Sequence, residues 1–163
     1  MSPASDLRAH LLDALDQAYN RRSWHGTNLR GAIRGLTLAD LSRRPAAGRH
    51  NIWELVVHCA YWKYAVRRRL TGEKRGSFPL AGSNFFPRPE VRTMAAWRRD
   101  LALLSAEHRR LRDVVATLPA RRFRVRNQGS AFTNLDLIAG VTAHDLYHAG
   151  QIQLIKALIR PRR

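Results

Sequence analysis

The sequence has little cysteine, little lysine and no long apolar run. With Cys59 as the single cysteine, no disulfide can form within the chain, and this usage is typical of a reducing compartment. Nowhere do about 18 apolar residues run together, which argues against a transmembrane helix. The first residues carry acids and a histidine among their leucines, unlike a signal peptide. We therefore expect a cytoplasmic protein that does not interact with a membrane.

Acidic residues are also scarce, so the formal net charge is +17. Of the 29 basic residues, 26 are arginine. Clustered basic side chains attract phosphate, which makes nucleic acid a possible partner. However, the arginines occur in pairs and triplets along the whole chain, whereas a dedicated nucleic-acid surface more often concentrates them on one element. Nucleic-acid binding is therefore possible but not favoured.

The chain of 163 residues is long enough for one domain with a substantial core, and we assign residues 1–163 to it. Apolar residues recur at spacings of three and four almost throughout, which is the period of an amphipathic helix. The pattern predicts one short helix over residues 27–35. It also predicts four long helices, at 5–19, 51–72, 90–118 and 133–159.

Local signals predict where some of these helices begin and end. Asn51 with Glu54 three residues later is a capping-box pattern, and Gly72 favours a C-terminal stop. Thr27 is placed to cap the short helix, and Gly35 is placed to end it.

The connections complete the predicted fold. Residues 73–90 are rich in glycine and proline, and they are too long for a tight turn, so we expect a crossover at one end of a bundle. The only weak strand candidate is the segment 121–127. The predicted fold class is therefore all-α, a four-helix bundle with a long crossover connection.

Two histidines, His144 and His148, lie four residues apart on the last predicted helix. Side chains at this spacing share one helical face, so both rings can converge on one metal ion beside the helix. By itself the pair is only weak evidence for a metal site, because packed core histidines or a solvent-facing pair explain such a spacing more often. The apolar sector predicted around the pair comprises Leu137, Ile138, Val141, Ile152, Leu154 and Ile155.

His58 favours the metal among these alternatives. It lies on an inward-looking stripe of the second long helix, together with Leu55 and Trp62. Three histidines from two core-facing helices can bind one divalent ion and leave positions open for water or substrate, as catalytic sites do. Burying them for packing alone would cost roughly 1–3 kcal/mol for each unsatisfied group. We therefore predict a metal site formed by His58, His144 and His148.

Other polar residues receive different assignments. Gln151 lies one turn past His148, where it can hydrogen-bond a metal-bound water or the substrate. For His108, on the apolar stripe of the third long helix, we favour a role other than metal ligand. Asp145 is assigned to the helix surface because its side chain projects about 100° away from that of His144.

The remaining candidates have simpler explanations. Capping accounts for Glu54, and Cys59 is expected to be a small buried residue. His10, His25 and His50 lie near helix ends or in loops, where histidines are usually solvated.

Three segments resemble the DinB/YfiT-like superfamily of metal-binding four-helix bundles. They are WHGTNLRGAIRGL at 24–36, RHNIWELVVHCAYWKYAVRRRLTG at 49–72 and HDLYHAGQIQLIKAL at 144–158. The resemblance spans about residues 7–158. It implies a homodimer in which His58, His144 and His148 hold a divalent ion, typically nickel or zinc. Characterised members include transferases that use low-molecular-weight thiols such as bacillithiol or mycothiol, and thiol-dependent isomerases of maleylpyruvate.

The leading hypothesis is a metal-dependent enzyme that acts on an electrophilic small-molecule substrate. The ion would lower the pKa of a bound thiol and thereby generate a nucleophile near neutral pH. With water in place of the thiol, the same site would make the protein a metal-dependent hydrolase. Two other classes stay open: a basic, non-catalytic module that binds nucleic acid, and a structural bundle whose histidines have no catalytic role.

Overall fold

The computed structural model describes residues 3–88, 92–127 and 130–160. Helices α4 and α1 each pack against both α5 and α6, which confirms the predicted all-α four-helix bundle. Two short helices, α2 and α3, lie between α1 and α4. The bounds are α1 Pro3–Tyr19, α2 Leu29–Ala32, α3 Leu38–Ser42, α4 Ile52–Thr71, α5 Met94–Thr117 and α6 Asn134–Ile159.

Capping boxes begin the two helices that carry the candidate site. Asn51 accepts a hydrogen bond from the backbone N–H of Glu54, and the Glu54 carboxylate accepts one from the Asn51 N–H. Thr133 and Asp136 make the same reciprocal pair at the start of α6. Gly72 ends α4 with φ of 82°, a left-handed conformation that glycine adopts without strain. The predicted ends of α4 are therefore confirmed.

The short helix before α3 differs from its prediction. It has four residues, and its N-cap is Asn28 rather than Thr27. The Asn28 side chain accepts a hydrogen bond from Gly31 N and donates one to Arg21 O, both at 2.8 Å. Threonine has no second polar group with which to bind the preceding loop in this way. Gly35 lies beyond the end of the helix, in a left-handed conformation with φ of 68°.

Two other predictions differ from the structure. The third long helix begins at Met94, where Thr93 caps it, while residues 90 and 91 of the predicted helix lie outside the described residues. The weak strand candidate at 121–127 is wrong. Within the described part of this segment, a 3₁₀ turn at Ala120–Arg122 precedes a single isolated bridge between Arg126 and Thr133.

A layer of buried polar side chains separates two apolar clusters inside the bundle. Four residues form this buried polar layer, and none is more than 5 % exposed. On α5, Leu104 belongs to one apolar cluster and Leu111 to the other, so the layer crosses the bundle at mid-height. Its members are Lys63, Glu107, His108 and Asp145.

Asp145 was wrongly assigned to the helix surface. It is fully buried, and its carboxylate accepts a hydrogen bond from the Lys63 ammonium in an ion pair. The physical reason is that α6 packs against α1 as well as α4. A side chain 100° away from the histidines therefore still points into the core.

In the part of the chain that is described, no helix is long and apolar enough to cross a bilayer.

Candidate metal centre

Helices α4 and α6 bring the three predicted histidines together. The Nε2 atom of His144 lies 3.0 Å from Nε2 of His58 and 3.1 Å from Nε2 of His148. His58 and His148 are each 5 % exposed, and His144 is half-buried. One ligand atom from each ring lies within 4.8 Å of the other two, so the group could hold a metal ion.

In two of the rings, a hydrogen bond from Nδ1 determines that the other nitrogen, Nε2, turns an unprotonated lone pair toward the cluster. His58 Nδ1 lies 2.9 Å from the backbone carbonyl oxygen of Asn84, and His148 Nδ1 lies 2.7 Å from Oε1 of Gln151. Because carbonyl oxygens only accept, each Nδ1 must carry the proton and donate it. Nε2 of His58 and Nε2 of His148 are then unprotonated, as metal binding requires.

Burial keeps these rings neutral. Mainly because burial disfavours the charged form, the pKa of His58 falls to about 4 and that of His144 to about 3. Burial also lowers the pKa of His148 from its ordinary value. At neutral pH no proton therefore has to be displaced from an imidazolium before these nitrogens can bind a cation.

A second group of possible ligand atoms adjoins the first and comprises Cys59, His144 and Asp145. Its chemistry is less suitable for a cation. Lys63 already neutralises the Asp145 carboxylate. Complete burial raises the pKa of Cys59 well above its ordinary value, so the thiol stays protonated. Cys59 therefore fits its expected description as a small buried residue.

The crossover loop holds His58 from the side opposite to α6. Asn84 presents its backbone carbonyl to His58, and its side-chain oxygen accepts a hydrogen bond from Trp62 Nε1 at 3.0 Å. Asn84 has φ of 65°, the only positive value among the described non-glycine residues. Phe85 stacks between the rings of His58 and His50, at centroid distances of 4.0 and 3.6 Å. The loop therefore orients the His58 ring by a hydrogen bond to Asn84 and by stacking of Phe85.

The three histidines lie at the inner end of an open pocket of about 730 Å³. Apolar and aromatic side chains form much of its wall. Leu154 is among them: it lies on the same wall as the histidines, although its side chain is 61 % exposed. The other five members of the apolar sector predicted on α6 are buried as expected.

The remaining candidates occupy distinct places. Gln151 binds the His148 ring directly, and its side-chain N–H donates to the Tyr147 hydroxyl at 2.9 Å. His108 lies in the buried polar layer, stacked on Tyr19 at 3.9 Å. Burial lowers the pKa of His108 to about 3, so its contact with Asp16 at 3.4 Å involves a neutral imidazole at pH 7.

The predicted cap at Glu54 is only part of its role. The Glu54 carboxylate also pairs with Arg44 and accepts a hydrogen bond from His50 at 3.0 Å. His10, His25 and His50 are exposed, as expected, but His50 also lines the pocket.

Sequence reasoning missed Asn84, Phe85 and Lys63. Asparagine is one of the few residues that adopt left-handed backbone readily, so Asn84 in a glycine-rich segment offered a weak signal of a special turn. Lys63 offered none, because a lysine beside tyrosines and arginines on an amphipathic helix usually lies at the surface.

Comparison with known proteins agrees with this architecture. The family model of the DinB superfamily matches residues 21–152, which is most of the chain and includes all three histidines. Searches of the curated proteins and of the solved structures found no significant match. The chain belongs to the DinB superfamily.

Proposed function

We propose that His58, His144 and His148 bind one divalent metal ion, nickel or zinc, and that the protein is a metal-dependent enzyme. In the proposed reaction a low-molecular-weight thiol attacks an electrophilic small molecule. The observation that carries the proposal is the convergence of three neutral imidazole nitrogens at the inner end of an open pocket.

The spacing of the nitrogens fits such an ion. Metal–nitrogen bonds of about 2.0–2.1 Å place two ligand nitrogens of one ion roughly 3–3.4 Å apart. The Nε2 atom of His144 lies 3.0 and 3.1 Å from those of His58 and His148. Without a cation, two inward lone pairs would face a single ring that has only one proton to offer them.

A bound divalent ion lowers the pKa of a thiol or water, so that a nucleophile exists near neutral pH. The chain contributes three neutral ligands, so the charge of the ion is not cancelled by carboxylates. Asn84 and Gln151 orient two of the rings, and apolar side chains form much of the wall around them. In the transfer, the thiol gives up its proton, its sulfur bonds to the electrophilic carbon, and the leaving group departs with the bonding electrons.

Metal removal tests the enzyme proposal. Untagged protein should contain about one ion per chain by elemental analysis. It should conjugate a thiol to a chlorinated aromatic electrophile, lose this activity on chelation and regain it with nickel or zinc. Turnover unaffected by chelation would reject metal dependence, and absence of metal after adding both ions would reject the site. Ester hydrolysis without any thiol would instead support the hydrolase.

Asn84 supplies a prediction about the geometry of the site. Asn84→Val is expected to weaken metal affinity about 10–100-fold, the usual range for partners that orient a ligand. A β-branched residue disfavours positive φ, so the loop should shift and withdraw its carbonyl from His58. Asn84→Gly is the matched control, since it also lacks the bond to Trp62 but keeps the backbone conformation. Equal affinities in a chelator competition would contradict this role.

The nucleic-acid alternative has no comparable observation behind it. Among the described residues, seven arginines are engaged in ion pairs with carboxylates of the same chain. They are Arg21, Arg44, Arg67, Arg88, Arg110, Arg112 and Arg160.

A further inference from the structure

The pocket beside the three histidines has features that restrict what it can hold. Its volume of about 730 Å³ lies within the roughly 300–1,000 Å³ of small-molecule sites. The three histidines form the inner end, and the outer wall includes one edge of α6 and the segment that precedes α4. A ligand that reaches the histidines therefore has both surfaces available for contact.

One edge of α6 presents apolar side chains to solvent along this pocket. Tyr147, Leu154 and Leu158 are 63, 61 and 65 % exposed, and their spacing of seven and four residues aligns them on one face. Leu55 and Ile155 continue the apolar wall inward. Because covering exposed apolar surface lowers the free energy, this edge favours a ligand with an apolar body.

The charge of the pocket has a single sign. Among the described residues that line it there is no aspartate or glutamate, and Arg49 is the only arginine or lysine. Arg44, five residues earlier, is paired with Glu54, whereas no described carboxylate lies within 4.0 Å of Arg49. A guanidinium with five donors and no acidic partner is suited to an oxyanion.

We infer that this pocket binds a small molecule with an apolar body and one anionic group, the body along Tyr147, Leu154 and Leu158 and the anion against Arg49. The inference rests on the proposed function only in placing the reactive end of the ligand at the histidines. Binding itself depends on the apolar edge and on Arg49.

Matched probes test the assignment: decanoate and decan-1-ol share an apolar chain and differ in charge. Calorimetry with the full-length protein, both metal-loaded and chelated, should show tighter binding of decanoate in each state. Arg49→Gln should weaken decanoate about tenfold, the effect of a lost hydrogen bond to a charged group, and leave decanol unchanged. Arg22→Gln, which also removes one exposed arginine, should alter neither. The double variant Leu154→Ser, Leu158→Ser should weaken both probes.

Other outcomes would overturn the inference. Equal affinities of the two probes, or equal effects of Arg49→Gln and Arg22→Gln, would show that the pocket does not recognise an anionic group. Failure of both probes to bind would show that the pocket does not take ligands with a long apolar body. A dimer that dissociates only in the double leucine variant and excludes both probes would assign the apolar edge to a second copy. Normal decanoate binding by a protein that never turns over a thiol would support this inference while rejecting the proposed enzyme.

Discussion

Replacement of Lys63 by methionine is expected to lower the free energy of unfolding by about 3–5 kcal/mol, the usual effect of removing one partner from a buried ion pair. Lys63 and Asp145 are both fully buried, and the Lys63 ammonium also lies 5.3 Å from the centre of the Tyr19 ring. Methionine fills most of the volume but leaves the carboxylate without its cation. Urea unfolding of the metal-free protein measures the loss.

The loss should depend on pH. Burial raises the pKa of Asp145 above its ordinary value of 3.8 even in the presence of Lys63, and removal of the lysine should raise it further. A raised carboxyl pKa means that the folded state binds more protons than the unfolded state above pH 3.8. Stability is then lost as pH rises, so Lys63→Met should be more destabilising at pH 8 than at pH 5.

Two further variants make this prediction specific. Lys63→Met combined with Asp145→Leu removes both charges and should recover most of the stability, because well-packed apolar replacements of buried ion pairs are often neutral or stabilising. Lys74→Met makes the same substitution at an exposed lysine and should change stability by less than about 0.5 kcal/mol. A single Lys63→Met variant as stable as Lys74→Met would show that the pair contributes nothing to the fold.

Replacement of His144 by alanine is expected to weaken metal binding by at least about a hundredfold, since structural zinc sites gain roughly 10–16 kcal/mol from four ligands together. His144 is the central ring, because its Nε2 lies within 3.1 Å of the Nε2 atoms of both partners. Competition with a chromophoric chelator measures the affinity for nickel and zinc.

His10→Ala is the control for this experiment, because His10 is exposed on α1 and is not one of the three grouped histidines. It should bind metal like the unchanged chain. If His144→Ala and His10→Ala retained equal affinity, the ion would have to bind elsewhere, and the proposed centre would be wrong.

Much of the fold was predictable because its signals are local. The reciprocal bonds of Asn51 with Glu54 and the left-handed Gly72 depend on residues within one helical turn, so α4 was predicted nearly to the residue. The prediction of Thr27 as the cap was wrong because the next residue, Asn28, is also an acceptable cap. The bond from Asn28 to Arg21, seven residues away, decided between them.

The candidate site was predictable for a related reason. The spacing of His144 and His148 determines that they share one face of α6. The helical period of α4 places His58 on the face of α4 that points into the bundle. The residues that orient two of those rings could be predicted from the sequence only in part. Gln151 follows from helical spacing, but Asn84 lies in a loop of irregular conformation 26 residues from His58.

The sequence by itself therefore determined the helices, most of their ends and which histidines look inward, because helical period and capping act over three or four residues. Only the tertiary structure decided that Asp145 is buried against Lys63 and that Asn84 binds His58. It also decided that Leu154 and Arg49 line the same pocket. Each of these depends on which elements become neighbours, and packing determines that between residues far apart in the chain.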